Sequence, residues 1–201
     1  MPTPALVSAA DLAGRPSDAE ALRACLAVTL EDDAETLRQE ALELLDVEGM
    51  AVVGRDLHPA HWTSSVWLID PDGWVLLMYH PTTKNWQQFG GHPDGDGCLI
   101  RVALREAEEE SGLEHLLILD ELVDLDYVAS TDHSHYDTRY LAFTPSGSHN
   151  ALPISPEGHT LCWMQIGTAG SILEDQRTAA SLERTWNAAI RYGLVDAAPG
   201  V

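Results

Sequence analysis

The strongest constraint on this chain is a glycine-rich loop that runs directly into an amphipathic helix with three carboxylates on one side. Gly90-Gly91-His92-Pro93-Asp94-Gly95-Asp96-Gly97 precedes a segment, Cys98 to Ser111, in which Ile100, Ala103, Leu104 and Ala107 recur at helical spacing. At about 100° per residue, Glu106, Glu109 and Glu110 share an arc of roughly 100° away from that apolar stripe. Gly112 follows, where helices commonly end. Like charges three and four residues apart repel by about 0.2–0.5 kcal/mol per pair, so the helix alone gains nothing from this arrangement. A hard divalent cation would remove the repulsion, and oxygen donors of this kind suit Mg2+ or Mn2+.

Around this element the chain alternates strand and helix signals. Leu22, Cys25, Leu26 and Thr29, then Leu37, Ala41, Leu44 and Leu45, predict two helices at the N-terminus. After a loop from Gly49 to Pro59, largely apolar runs at Trp62–Ile69 and Trp74–Tyr79 flank Asp70-Pro71-Asp72-Gly73, a hairpin signal. Further strands are expected near Leu117–Val128, Tyr136–Phe143 and Thr160–Ile166, with a last helix over Ser171–Tyr192. The fold class is therefore α/β or α+β. The expected organisation is a helical extension over 1–57, a catalytic domain over 58–195 and a tail over 196–201.

With 32 acidic and 11 basic residues the formal charge is −21, a field that repels nucleic-acid backbones and anionic membranes. A polyanionic substrate then has to be received through metal ions or a local cationic pocket. No apolar run approaches the roughly 18 residues of a membrane span, and Met1 to Leu12 lacks the basic and apolar regions of a secretory signal, so a cytoplasmic location is expected. Cys25, Cys98 and Cys162 are too scattered for a disulfide framework or a thiolate zinc site.

The loop and helix together resemble the Nudix box, GX5EX7REUXEEXGU with U apolar. Gly91 matches the first glycine, and Arg105, Glu106, Ala107, Glu109, Glu110, Gly112 and Leu113 match the second half at the right spacing. The resemblance implies a Nudix-type α/β/α sandwich with a mixed sheet. It also implies a Mg2+- or Mn2+-dependent pyrophosphohydrolase cleaving a phosphoanhydride bond in a small phosphorylated metabolite such as a nucleoside diphosphate derivative. Glu106, Glu109 and Glu110 would be the metal ligands, with the Gly91 carbonyl as a further one and Arg105 an orienting residue. One position departs: Gly97 stands where the pattern has its first glutamate. Asp96 is the acidic residue placed to take over by pairing with Arg105, and a glutamate restored at 97 would add an exposed ion pair worth about 0–1 kcal/mol.

Outside the box, Glu157 lies where Nudix enzymes often carry a loop glutamate acting as base or ligand. In Asp132-His133-Ser134-His135-Tyr136-Asp137 the two histidines share a face if the segment is a strand, but no second tight His or Cys pair completes a zinc site. His135, Asp137, Arg139 and Trp86 are the candidate substrate contacts; Lys84 is a further cation that could hold a phosphate. Trp62, Trp67 and Trp74 read as core. Two other readings stay open on the same fold: a nucleotide sensor without turnover, favoured by Gly97, and an isoprenoid diphosphate isomerase. The leading helices could cover a partner subunit, giving a homodimer, as readily as their own core.

Overall fold

A computed structural model describes residues 5–27, 32–129 and 133–195; Thr29, Asp132 and the 196–201 tail lie outside them. The chain centres on one long strand. β2 (Ala60–Asp70) is buried along its whole length, and its residues alternate between two apolar clusters. Val66 and Leu68 face one side, Trp67 and Ile69 the other, as the period of two requires. A strand covered on both faces needs no polar side, which is why Val66 to Ile69 form an unbroken apolar run.

The remaining strands are β1 (Leu6–Val7), β3 (Trp74–Tyr79), β4 (Trp86–Gln87), β5 (Phe89–Gly91), β6 (Leu117–Leu119), β7 (Asp124–Val128), β8 (Ser134–Phe143) and β9 (Thr160–Gln165). The main path runs β1-β6-β8-β2-β3-β4, with β5 on β2, β7 on β8 and β9 on β3. β2 and β8 are parallel over ten register pairs, Ala60↔Ser134 to Ile69↔Phe143, while the other pairs are antiparallel, so the sheet is mixed.

Helices α1 (Ala9–Leu12), α2 (Ala19–Cys25), α3 (Asp32–Glu48) and α4 (Leu99–Ser111) contribute to the first cluster. α5 (Ile166–Ala169) and α6 (Gln176–Arg191) supply the second through Ala169, Leu182, Trp186 and Ala189. The layers are α/β/α, as expected. α4 buries Ile100, Ala103, Leu104 and Ala107, and Gly112 ends it in the left-handed region at φ 73°.

The leading segment differs from two helices. It has three helices, a 3-10 turn at Gly49–Val53 within the expected loop, and strand β1, whose Leu6 pairs with Leu119 at the sheet edge. Val7, Leu12, Leu22 and Leu26 are buried in the same cluster as Trp62 and Val66, so this segment covers its own core. Likewise Leu117–Val128 is two strands rather than one, β6 and β7, because Asp120 to Val123 turns away to meet Arg15 and the last helix.

Candidate functional site

The carboxylates of α4 stand against the glycine loop. Gly90 donates its N–H to Glu110 Oε2 at 3.0 Å, and the Glu106 carboxylate lies so close to Gly91 that a Cβ there would fall 2.7 Å from Oε2. Gly90 itself, at φ 153°, has no room for a side chain, since a Cβ there would lie 2.6 Å from the Ser65 Cα and 2.7 Å from the Ser64 carbonyl oxygen. β5 is pinned by its pairing with β2, Ser64↔Gly91, and Ser64 Oγ donates to the Leu99 carbonyl at 2.8 Å, so one strand fixes both the loop and the start of the helix.

Burial raises the pKa of Glu106 above the ordinary carboxylate range and pushes Glu110 up to about 7. The Gly90 N–H opposes the rise at Glu110, while Glu106, Glu157 and Glu109 reinforce it. Glu109 is half-exposed and receives Arg105 Nη1 at 3.2 Å. Arg105 also meets Glu106 at 2.8 Å and the His92 carbonyl at 3.4 Å, so it braces both carboxylates against the loop.

Glu157 comes into this group from the loop before β9. Its Oε2 is 3.1 Å from His159 Nε2, which is 3.9 Å from Glu110 Oε1, and the three residues could hold a cation together. His159 was not singled out in the sequence; its position two residues after Glu157 is the only local signal. The donor set, four carboxylates and one imidazole around a glycine cradle, fits a hard divalent ion.

Two expectations about the box are corrected. Asp96 does not pair with Arg105: it accepts from the Cys98 N–H at 2.9 Å, Ser17 Oγ at 2.7 Å and Arg101 at 2.6 and 2.8 Å. Arg105 is nine residues on, roughly 13 Å along the helix axis, whereas Arg101 is within reach of the first turn. Nor is position 97 an exposed site awaiting an ion pair. Gly97 is buried, donates its N–H to Ser17 Oγ at 2.8 Å, and a Cβ there would meet the Ser17 backbone at 2.9 Å and Met50 Cε at 3.1 Å. The leading segment occupies the space a glutamate would need.

A cavity of about 840 Å³ opens beside the loop, lined by Trp86, Gln88, Gly91, His135, Asp137 and Arg139 among others. Trp86 is half-buried and packs edge-on to Tyr79. Arg139 is not an open phosphate site: it is 2% exposed and engages Asp137 at 2.9 Å, Asp126 at 2.8 Å and Asp124 at 3.5 Å. Register causes this, since β7 sets Asp124 opposite Arg139 and Asp126 opposite Asp137 on one face. Asp137 is committed too, accepting from Thr63 at 2.9 Å and Ser65 at 2.8 Å. Lys84 is exposed and does not line the cavity.

A model of the NUDIX domain family matches residues 59–184. Among solved structures, a C. elegans Ap4A hydrolase binary complex is similar at 17% identity and TM-score 0.54, over 64% of this chain and 96% of that one. The E. coli dihydroneopterin triphosphate pyrophosphohydrolase is similar at 14% identity and TM-score 0.50, over 63% and 94%. The NUDIX domain of Shewanella oneidensis NrtR complexed with ADP ribose is similar at 16% and 0.50, over 63% and 86%. At these identities the likeness is one of fold. No curated protein matches the chain.

Proposed function

The chain belongs to the Nudix family, and we propose that it is a pyrophosphohydrolase that cleaves the diphosphate bond of a nucleoside diphosphate derivative with the help of Mg2+ or Mn2+. The single observation that carries this reading is the cradle in which Glu106 and Glu110 close on Gly91 and Gly90 with Glu109 and Glu157 beside them. Burial and mutual repulsion raise the pKa of Glu106 and Glu110 despite Arg105 and the Gly90 N–H, and a divalent cation would stabilise the charged carboxylates without protonation. Glu106, Glu109, Glu110 and the Gly91 carbonyl would hold it, and such an ion offsets phosphate charge and acidifies water.

The chain's own residues divide the remaining work. Arg105 orients Glu106 and Glu109 and ties them to the loop through the His92 carbonyl. Glu157, paired with His159 at the rim, accepts the proton of the attacking water as its oxygen bonds to phosphorus and the bridging P–O bond breaks. The adjacent cavity, within the roughly 300–1,000 Å³ usual for small-molecule sites, takes the nucleoside part, with Trp86 as its ring platform. Asp137 and Arg139 form a charge-balanced floor rather than direct phosphate contacts. Among the described residues no helix is long and apolar enough to cross a membrane, and a cytoplasmic location suits a metabolite substrate.

That the similar structures include an Ap4A hydrolase and a complex with ADP ribose supports dinucleotides and nucleotide sugars as the first compounds to try. The test is a screen of nucleotides, nucleotide sugars and dinucleotides with Mg2+ or Mn2+, products identified by mass. Hydrolysis at a diphosphate bond is expected. Binding without turnover in either metal would replace this reading with a sensor, and a product of unchanged mass with an isomerase.

A further inference from the structure

Four imidazoles from separate parts of the chain converge beside the glycine loop. His61 on β2 is the register partner of His135 on β8, His133 stands two residues earlier, and His92 follows Gly91 directly. One ring nitrogen from each lies within 4.8 Å of all the others. His61 Nε2 and His92 Nε2 are 3.0 Å apart, and the His133 ring is 4.7 Å from His61 and 4.8 Å from His135 between centroids.

A packed cluster of neutral rings would explain proximity alone, but two details go further. His61 Nδ1 is 3.1 Å from the Leu57 carbonyl, which can only accept, so Nδ1 carries the proton and Nε2 directs its lone pair into the cluster, toward His92 Nε2. Metal-bound histidines are commonly oriented by such a backbone carbonyl. His135 Nε2 is buried with no hydrogen-bond partner among the described residues, which a native structure ordinarily avoids. Arg55, the nearby cation that would oppose a metal here, is engaged by Asp94.

We propose that His61, His92, His133 and His135 form a second metal centre that takes a zinc-class transition ion, separate from the carboxylate site. Imidazole donors suit Zn2+ and its neighbours, whereas oxygen donors suit Mg2+ and Mn2+. A tetrahedral ion with bonds of about 2.0–2.1 Å sets its nitrogens roughly 3.3–3.4 Å apart, a spacing that small ring movements reach from the one observed. Four protein ligands would close the coordination shell, the mark of a structural site. The ion would tie β2 and β8 to the glycine loop, and through the His92 carbonyl to Arg105. This centre does not depend on the pyrophosphohydrolase reading.

The test uses untagged, chelator-stripped protein titrated with Co2+ and then Zn2+ alone. One equivalent of Co2+ is expected to give the d–d absorption of tetrahedral nitrogen coordination, to be displaced by Zn2+, and to raise the thermal midpoint. The signal is expected to survive in the Glu109→Gln/Glu110→Gln double variant and to vanish in His135→Gln and His92→Gln. Circular dichroism checks that each variant folds. His92 lies in a loop, half-exposed, so its variant decides the matter if the β8 variant does not fold. Absence of the signal in the wild type, its persistence in His92→Gln, or its loss in the carboxylate variant would overturn the proposal.

Discussion

At the residue scale, Glu110 is the side chain whose environment most directly links stability to function. Its folded pKa of about 7 lies above the ordinary 4.5, so between those values the folded protein holds a proton that the unfolded chain has released. The metal-free protein therefore loses stability as pH rises through that window. Glu110→Gln removes the buried charge and is expected to leave stability near pH 5 little changed while adding about 1–3 kcal/mol near pH 8. Thermal unfolding without metal at the two pH values checks this; equal effects at both would contradict the cause. Gly97→Glu is expected to cost about 1–3 kcal/mol, the range for overpacking, because the Ser17 backbone must move. Denaturant unfolding measures it, and a stabilised variant would show that the segment yields freely. From sequence, position 97 looked like a missing partner for Arg105, because a motif carries no information about what packs over it.

At the element scale, α4 was legible almost to its ends because its apolar stripe and closing glycine are both local signals. β2 and β8 were legible as runs but not as neighbours, since parallel pairing across more than sixty residues leaves no local mark. For the same reason Glu157 was found through the family resemblance alone, while the histidines at 61 and 92 were not joined to 133 and 135. Arg139 looked like a free cation because the three carboxylates that engage it come from β7 and β8 in register. The start of α4 gives a prediction of its own. Asp96 joins the Cys98 N–H, Arg101 and Ser17, and although burial works against it these partners hold its carboxyl below the ordinary range. Its contribution is thus present above the unfolded pKa and lost as pH falls. Asp96→Ala is expected to destabilise by about 1–3 kcal/mol, as loss of hydrogen bonds to a charged group does, at neutral pH and by less under acid conditions. Chemical denaturation at the two pH values reads this directly.

At the scale of the whole molecule, the leading segment belongs to the same core as the family domain. It adds strand β1 to the sheet edge, closes over Gly97, and is fastened by Arg15 to Asp120 at 2.6 and 2.7 Å. Removing residues 1–27 would expose what Val7, Leu12, Leu22 and Leu26 cover, each worth about 1.5–3 kcal/mol of burial. That loss is comparable to the roughly 5–15 kcal/mol by which whole domains are stable. The truncated chain is expected to lose cooperative thermal unfolding, and a cooperative transition near that of the full chain would contradict this packing.

The proposed role of the carboxylates set against Gly90 and Gly91 is that of a metal-dependent catalytic centre and not a solvated acidic face. It is tested most directly by turnover of a diphosphate substrate as a function of Mg2+, in the wild type and in Glu109→Gln and Glu110→Gln, with folding monitored in parallel. The expected result is metal-dependent turnover in the wild type and its near-complete loss in both variants, each as stable as the parent or more so without metal. Wild-type turnover in both variants, or turnover indifferent to metal, would rule that role out.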